Sequence, residues 1–278
     1  MKRALVIGSP IAHSRSPLVH GFWLKAYNIQ GRYDREEVLP HQVTDFLRML
    51  PSRGIAGCNV TIPNKEAAFL ACDITTPAAA ALRAVNTVWF ENSAMHGDNT
   101  DGSGFLAHID DVHPGWDKQP GRILLLGAGG AARGLGLALL ARKPAELAIS
   151  NRTDDRASRL IADIQAAEPE APLSHVSWAE KAGSLSRFDL LINTTSAGMQ
   201  SKDALDLSLE TAKRSAIISD IVYVPLETPL LAEARQRQLK TLDGLGMLLH
   251  QAVPGFARWF GVKPEVTPAL RAHIVANL

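Results

Sequence analysis

Along nearly the whole chain, short apolar runs alternate with stretches whose apolar residues recur at helical spacing. The first run, Ala4-Leu5-Val6-Ile7-Gly8, reads as a buried strand. The helix after it starts at Ser16-Pro17, a capping residue followed by proline at the first helical position. Residues 33–38 and 55–60 read as strands, 41–50 and 64–71 as helices, and 85–90 with 94–97 as the arms of a hairpin. Turn residues cluster at Pro114-Gly115 and Gln119-Pro120-Gly121, marking a domain border ahead of the cleanest strand, Arg122–Leu126. Beyond it, strands at 147–150, 189–192, 216–221 and Lys240–Leu242 alternate with helices, and the pattern from Leu245 onward is helical. The alternation predicts an α/β protein with a parallel sheet, doubly wound in its second half.

Composition narrows the function classes. Of 278 residues, 46% are hydrophobic, too many for a disordered chain. Twenty-nine basic side chains face 28 acidic ones, for a net charge of +1, so nothing electrostatic points to nucleic acid or an anionic membrane. A small molecule is the expected partner. Cys58 and Cys72 form neither a CxxC pair nor a zinc spacing with the nine histidines, which predicts free thiols, a reducing compartment and no metal. The apolar run at the start ends at Ser9-Pro10, short of the roughly seven to fifteen residues of a secretory h-region. No run approaches the roughly 18 apolar residues of a membrane span, so a cytoplasmic location is expected. No heptad seam announces an interface, which leaves monomer and homodimer both open.

Directly after Arg122–Leu126 comes Gly127-Ala128-Gly129-Gly130-Ala131-Ala132-Arg133, followed by a helical pattern. Gly127 permits a tight turn, Gly129 lets backbone approach a pyrophosphate, and Ala132 allows close helix–strand packing. Unpaired N–H groups at the helix start would face the anion. The motif alone could be a structural turn. Between a strand and a helix in an alternating series it points to a dinucleotide. The second strand of this half ends in Asn151-Arg152-Thr153-Asp154-Asp155-Arg156, where an NAD enzyme would keep an acid for the ribose. Arg152 and Arg156 suit a 2′-phosphate, which favours NADP over NAD. The plainer reading makes them solvated charges at a helix start, with Thr153 as cap and the two aspartates favouring the positive helix end.

Three polar clusters precede this half. In His13-Ser14-Arg15-Ser16-Pro17, two hydroxyls just before a helix suit a carboxylate, although Ser16 read alone is a helix cap. In Asn59-Val60-Thr61-Ile62-Pro63-Asn64-Lys65, a lysine opens a helix, against the helix dipole, which asks for a reason other than surface charge. Asp98-Asn99-Thr100-Asp101-Gly102 follows Asn86-Thr87, and Asp101 by itself could cap the next helix.

Together with Gly8-Ser9-Pro10-Ile11, Ala84-Val85-Asn86-Thr87, Asn193-Thr194-Thr195, Gly198-Met199, Asp220, Tyr223, Pro225, Gly244, Met247-Leu248 and Gln251, these motifs resemble the shikimate dehydrogenase family over essentially the whole chain. The resemblance implies two α/β domains with the active site in the cleft. One is a substrate domain, residues 1–102 completed by C-terminal helices at 245–278. The other is a Rossmann-type NADP-binding domain, residues 103–244. It implies reversible NADPH-dependent reduction of 3-dehydroshikimate to shikimate, on the route to chorismate and the aromatic amino acids.

By motif position, Lys65 and Asp101 match the family's catalytic pair, and Ser14 and Ser16 its carboxylate-binding serines. Thr61, Asn86, Asp101 and Gln251 match the groups that hold ring hydroxyls, with Asn59 nearby and Tyr223 a further match. Gly127, Gly129, Gly130, Ala131, Asn151, Arg152, Thr153, Arg156 and Thr194 fall on the cofactor side, where Met199 and Gly244 border the nicotinamide. Hydride arriving at the ring carbonyl leaves charge on its oxygen, which an ammonium at Lys65 would neutralise and protonate. Asn64, where many relatives carry histidine, and the Asp154-Asp155 pair depart from the family pattern. They bear on cofactor preference and affinity and leave an NAD preference open. Quinate carries an extra ring hydroxyl whose rejection depends on side-chain placement near Ser14, Ser16 and Thr61, which leaves open a quinate/shikimate enzyme or a different polyol acid. A regulatory module that merely binds nucleotide is disfavoured, because both serines, Lys65, Asp101 and Gln251 are all retained.

Overall fold

The computed structural model describes residues 1–200 and 202–278. They form two compact units, Met1–Asp101 with Leu249–Leu278, and Gly102–Leu248.

The first unit is built from β1 (Lys2–Gly8), α1 (Ser16–Ala26), β2 (Gly31–Glu37), α2 (Val43–Met49), β3 (Gly57–Val60), α3 (Lys65–Ala71), β4 (Ile74–Thr75), α4 (Pro77–Leu82), β5 (Thr87–Glu91) and β6 (Ala94–Asp98). Its sheet has the order β2-β1-β3-β5-β6-β4. β2, β1 and β3 run parallel, as the alternation predicts. The 85–97 hairpin then joins the same sheet through β5, antiparallel to β3, so this sheet is mixed rather than wholly parallel. β4, two residues paired with β6, is too short to leave a periodic signal. On α1 the buried residues are Ser16, Val19, His20, Trp23 and Leu24, one stripe at helical spacing. Ser16 therefore lies on the packed face, and the capping role expected of it is not taken. Arg15 occupies the cap position, and the Ser14 hydroxyl accepts the Ser16 N–H at 3.3 Å.

The second unit takes in most of α5 (Asp101–Val112), then β7 (Arg122–Leu126), α6 (Gly130–Leu140), β8 (Glu146–Ser150), α7 (Asp154–Ala167), β9 (Leu173–His175), β10 (Leu190–Asn193), β11 (Ile217–Asp220), α8 (Pro229–Gln236), β12 (Lys240–Leu242) and the start of α9 (Gly244–Phe260). Its sheet is parallel throughout, in the order β12-β11-β10-β7-β8-β9. Both faces of β7 are covered: Ile123 and Leu125 pack with Phe105 and Leu135, while Leu124 and Leu126 pack with Phe188 and Leu191. A strand buried on two faces reads as an unbroken apolar run, which is why this one was so legible. Strand order reverses between β7 and β10, and in such sheets the ligand crevice lies beyond the carboxyl ends of the strands at that point. The edge strand β9, Leu-Ser-His, is mostly polar and gave no signal.

The end of α9 and α10 (Pro268–Val275) return to the first unit. Trp259 Nε1 donates to the Val88 carbonyl at 2.9 Å, and Trp23 Nε1 to the Glu265 carbonyl at 2.9 Å. Only glycine fits at position 57, where a Cβ would sit 2.1 Å from the Val88 oxygen and 2.3 Å from Trp259 Nε1. Phe256 is fully buried, and truncating a core aromatic of this kind costs roughly 3–5 kcal/mol.

Candidate active site

Lys65 opens α3 and Asp101 opens α5, and their side chains meet with Nζ 2.5 Å from Oδ2. Both are about three-quarters buried, at 26% and 24% exposure, so the ion pair is shielded yet reachable. The lysine's unfavourable place at a helix start is offset by this carboxylate. Asp101 engages both of its side-chain oxygens with residues outside its own helix. Its second oxygen accepts Asn86 Nδ2 at 2.8 Å, and its backbone N–H is taken by Asn99 Oδ1 at 3.2 Å.

Behind the pair stands a buried amide. Asn86 Oδ1 accepts the Thr87 hydroxyl at 2.9 Å and the Thr100 N–H at 3.0 Å, which fixes which way its Nδ2 points. Asn59 is buried in the same network, donating to the Asn86 carbonyl and to Thr87 Oγ1, each at 3.2 Å. The Thr100 hydroxyl donates to the Gln251 carbonyl at 2.8 Å, which seats Gln251 on α9 one residue from Asp101. Thr61 follows β3, its N–H bonded to the Ile7 carbonyl, and Ser14 and Ser16 lie at the start of α1. Lys65, Asp101, Asn86, Asn59 and Gln251 are thus joined by one polar network, in which Asn59 spends its bonds on the protein itself.

In the second unit, Gly127 follows β7 with φ +115°, and a Cβ there would sit 2.6 Å from the Thr194 hydroxyl. That hydroxyl donates to the Leu126 carbonyl at 2.7 Å, so Thr194 pins the glycine turn. Gly129 caps α6 and Gly130 begins it, and a Cβ added at either would touch nothing within 4 Å. Open space over free helix N–H groups is what a pyrophosphate needs, with Ala131 next in line. Asn151 Nδ2 closes the following loop onto the Thr153 carbonyl at 2.9 Å. Thr153 holds the cap position of α7 without a side-chain cap bond, a correction to the capping role expected of it. Arg152 and Arg156 are exposed and form no ion pair with a described residue. Asp154 is drawn instead to His175 Nε2 at 3.3 Å. The chemistry of this loop fits a dinucleotide bearing a 2′-phosphate.

At the reversal point, Asn193 Nδ2 donates to Asp220 Oδ1 at 3.1 Å, tying the ends of β10 and β11. Asp220 also accepts the Val222 N–H at 3.0 Å and the Thr228 hydroxyl at 2.8 Å, and so shapes the loop that carries Tyr223. Burial pushes its carboxyl up to about 6, against the pull of these three donors. Gly244 packs on this loop's start, with the Ile221 carbonyl oxygen 2.2 Å from where a Cβ would be. Met199 is 44% exposed, an apolar side chain offered to solvent beyond β10. Asp220 and Asn193 belong to the matched motifs, which by themselves assign them no role. Tyr33 and His20, which back the first unit's network, carried no motif at all, and their one trace is a histidine on the apolar stripe of α1.

Three family descriptions match successive parts of the chain: the shikimate dehydrogenase substrate binding domain over residues 6–88, shikimate / quinate 5-dehydrogenase over 115–246, and the shikimate 5′-dehydrogenase C-terminal domain over 244–272. The NADP(+) shikimate dehydrogenase of Azorhizobium caulinodans is 48% identical over 278 residues, 100% of this chain and 97% of that one. The chain belongs to the shikimate dehydrogenase family. Among solved family structures, shikimate 5-dehydrogenase from Thermus thermophilus, in complex with NADP(H) and shikimate, superposes with a TM-score of 0.87 at 32% identity, covering 99% of this chain and 100% of that one. Quinate dehydrogenase from Corynebacterium glutamicum, in complex with NAD, gives a TM-score of 0.90 at 27% identity and covers 99% of each. Among the described residues no cluster suits a metal ion, and no helix is long and apolar enough to cross a membrane.

Proposed function

We propose that the protein is an NADP-dependent shikimate dehydrogenase, reducing 3-dehydroshikimate to shikimate and running in reverse when NADP is in excess. The observation that carries this reading is the Lys65–Asp101 pair, held by Asn86 among hydroxyl and amide groups suited to a polyhydroxylated ring. NADPH supplies the hydride when bound, and the remaining work falls to this chain. Lys65 donates the proton to the oxygen that becomes a hydroxyl, and Asp101 keeps the ammonium aimed. Ser14 and Ser16 grip the substrate carboxylate. Thr61, Asn86 and Gln251 read the ring hydroxyls, with Asn59 holding Asn86 in place. The substrate domain is the first unit and the NADP domain the second, where Gly129, Gly130 and Ala131 receive the pyrophosphate and Arg152 and Arg156 the 2′-phosphate. Tyr223, Met199 and Gly244 serve the nicotinamide end. Two unpaired thiols fit a cytoplasmic enzyme.

The likeness to a quinate dehydrogenase with bound NAD supplies the competing reading. Comparing kcat/KM for shikimate and quinate, each with NADP and NAD, separates the two. Shikimate with NADP should lead by at least tenfold over any other combination. Quinate or NAD in the lead would replace this assignment.

A further inference from the structure

Tyr33 lies on β2, two strands away from Asn59 on β3, with β1 between them. Neighbouring strands are about 4.8 Å apart, so a side chain must span close to 10 Å to connect the two. Tyr33 does so. Ala4 is level with it on β1, and that small side chain leaves room for the ring to pass. The phenol O–H donates to Asn59 Oδ1 at 2.6 Å, the shortest bond Asn59 makes. Around it the ring is sealed by His20 and Trp259.

The phenol thus stands at the far end of a chain that leads through Asn59 and Asn86 to Asp101 and Lys65. We infer that Tyr33 is a positioning residue for the Lys65–Asp101 pair, holding from two strands away the amide on which Asn86 rests. Asn59 Oδ1 needs a donor to keep its amide turned with Nδ2 toward Thr87 and the Asn86 carbonyl, and Tyr33 supplies it. Without that donor the Asn59 amide is free to turn over, and Asn86 loses its support from below. Burial holds the phenol well above its ordinary value, so it remains a donor at every working pH. The inference rests on the function proposed above for Lys65 and Asp101.

Tyr33→Phe removes one oxygen and keeps the ring. For the wild type, oxidation of shikimate by NADP first establishes that reading by itself. In the variant, kcat should fall about tenfold, KM for shikimate should rise several-fold, and KM for NADP should not move. A structural role alone would lower the melting temperature without this split. A second measurement needs no substrate: acylation of Lys65 by citraconic anhydride, read by peptide mass spectrometry, should quicken several-fold in Tyr33→Phe as the Asp101 contact loosens. Should Tyr33→Phe not fold, 3,5-difluorotyrosine at position 33 alone keeps the shape and strengthens the donor, and kcat should change while the melting temperature holds. Unchanged kinetics together with unchanged Lys65 acylation would overturn the proposal. Failure of the wild type on shikimate would instead overturn the functional reading, leaving the acylation test to decide Tyr33.

Discussion

His20 lies flat against Tyr33, with ring centroids 3.9 Å apart and planes 7° from parallel. It is fully buried, and neither ring nitrogen has a hydrogen-bond partner. Burial pushes its pKa down from 6.5 to about 3, so the folded protein keeps the ring neutral. Unfolding lets it take up a proton. Its contribution is therefore complete above pH 6.5 and is lost as pH falls toward 3, by roughly 1.4 kcal/mol per unit. His20→Phe should match the wild type to within about 1 kcal/mol at pH 7, since it fills the same space and removes two unpaired polar atoms. Urea unfolding at pH 5 should then favour the variant by roughly a further 2 kcal/mol. An equal gap at both pH values would show that His20 protonates in the folded state.

Asp220 has the opposite slope. Its folded pKa, about 6, lies above the ordinary 3.8, so its contribution is intact below 3.8 and lost as pH rises through 6. The deficit at neutral pH is roughly 3 kcal/mol. Asp220→Asn gives up part of its acceptor set at every pH, a constant penalty, but it removes the slope. Relative to the wild type, the variant should gain stability between pH 4 and 7 in the same unfolding experiment. A constant difference across that range would refute the assignment.

For the proposed catalytic pair, Lys65→Ala should lower kcat by roughly 10³, in the range of general acid–base catalysis. Asp101→Asn keeps the shape but leaves the lysine without its anion, and should cost roughly 10². Circular dichroism of both variants should match the wild type. Near-normal turnover of Lys65→Ala would remove the lysine from the chemistry.

Arg152→Ala and Arg156→Ala should each raise KM for NADP by roughly 10- to 100-fold, the worth of a charged hydrogen bond. KM for NAD should stay within about twofold, because NAD has no 2′-phosphate for these side chains to hold. Parallel losses with both cofactors would mean that the loop supports the fold rather than reading the phosphate.

Much of this was open to a reader of the sequence, for physical reasons that differ along the chain. β7 and the Gly127 turn declared themselves, because a doubly covered strand must be apolar throughout and its exit admits only glycine. Lys65 stood out as a cation on the wrong end of a helix. The mixed character of the first sheet stayed hidden, since a hairpin's own pattern does not say which neighbour its first arm will join. Ser16 looked like a cap because serine before proline usually is one, while its place on the packed stripe depends on what α1 lies against. The contact from Tyr33 to Asn59 crosses a strand, and no local spacing encodes it.

The first unit is interrupted in sequence by the second, and its aromatic core waits for Phe256 and Trp259. On the ribosome this reverses the order of completion. Residues 102–248 are contiguous and can fold as soon as they emerge, whereas the earlier 1–101 hold an unfilled hydrophobic slot until the last helices arrive. A chain stalled or cut before Phe256 would carry a finished nucleotide-binding half beside a half-built partner with exposed apolar surface, the kind of product that chaperones and proteases select for removal.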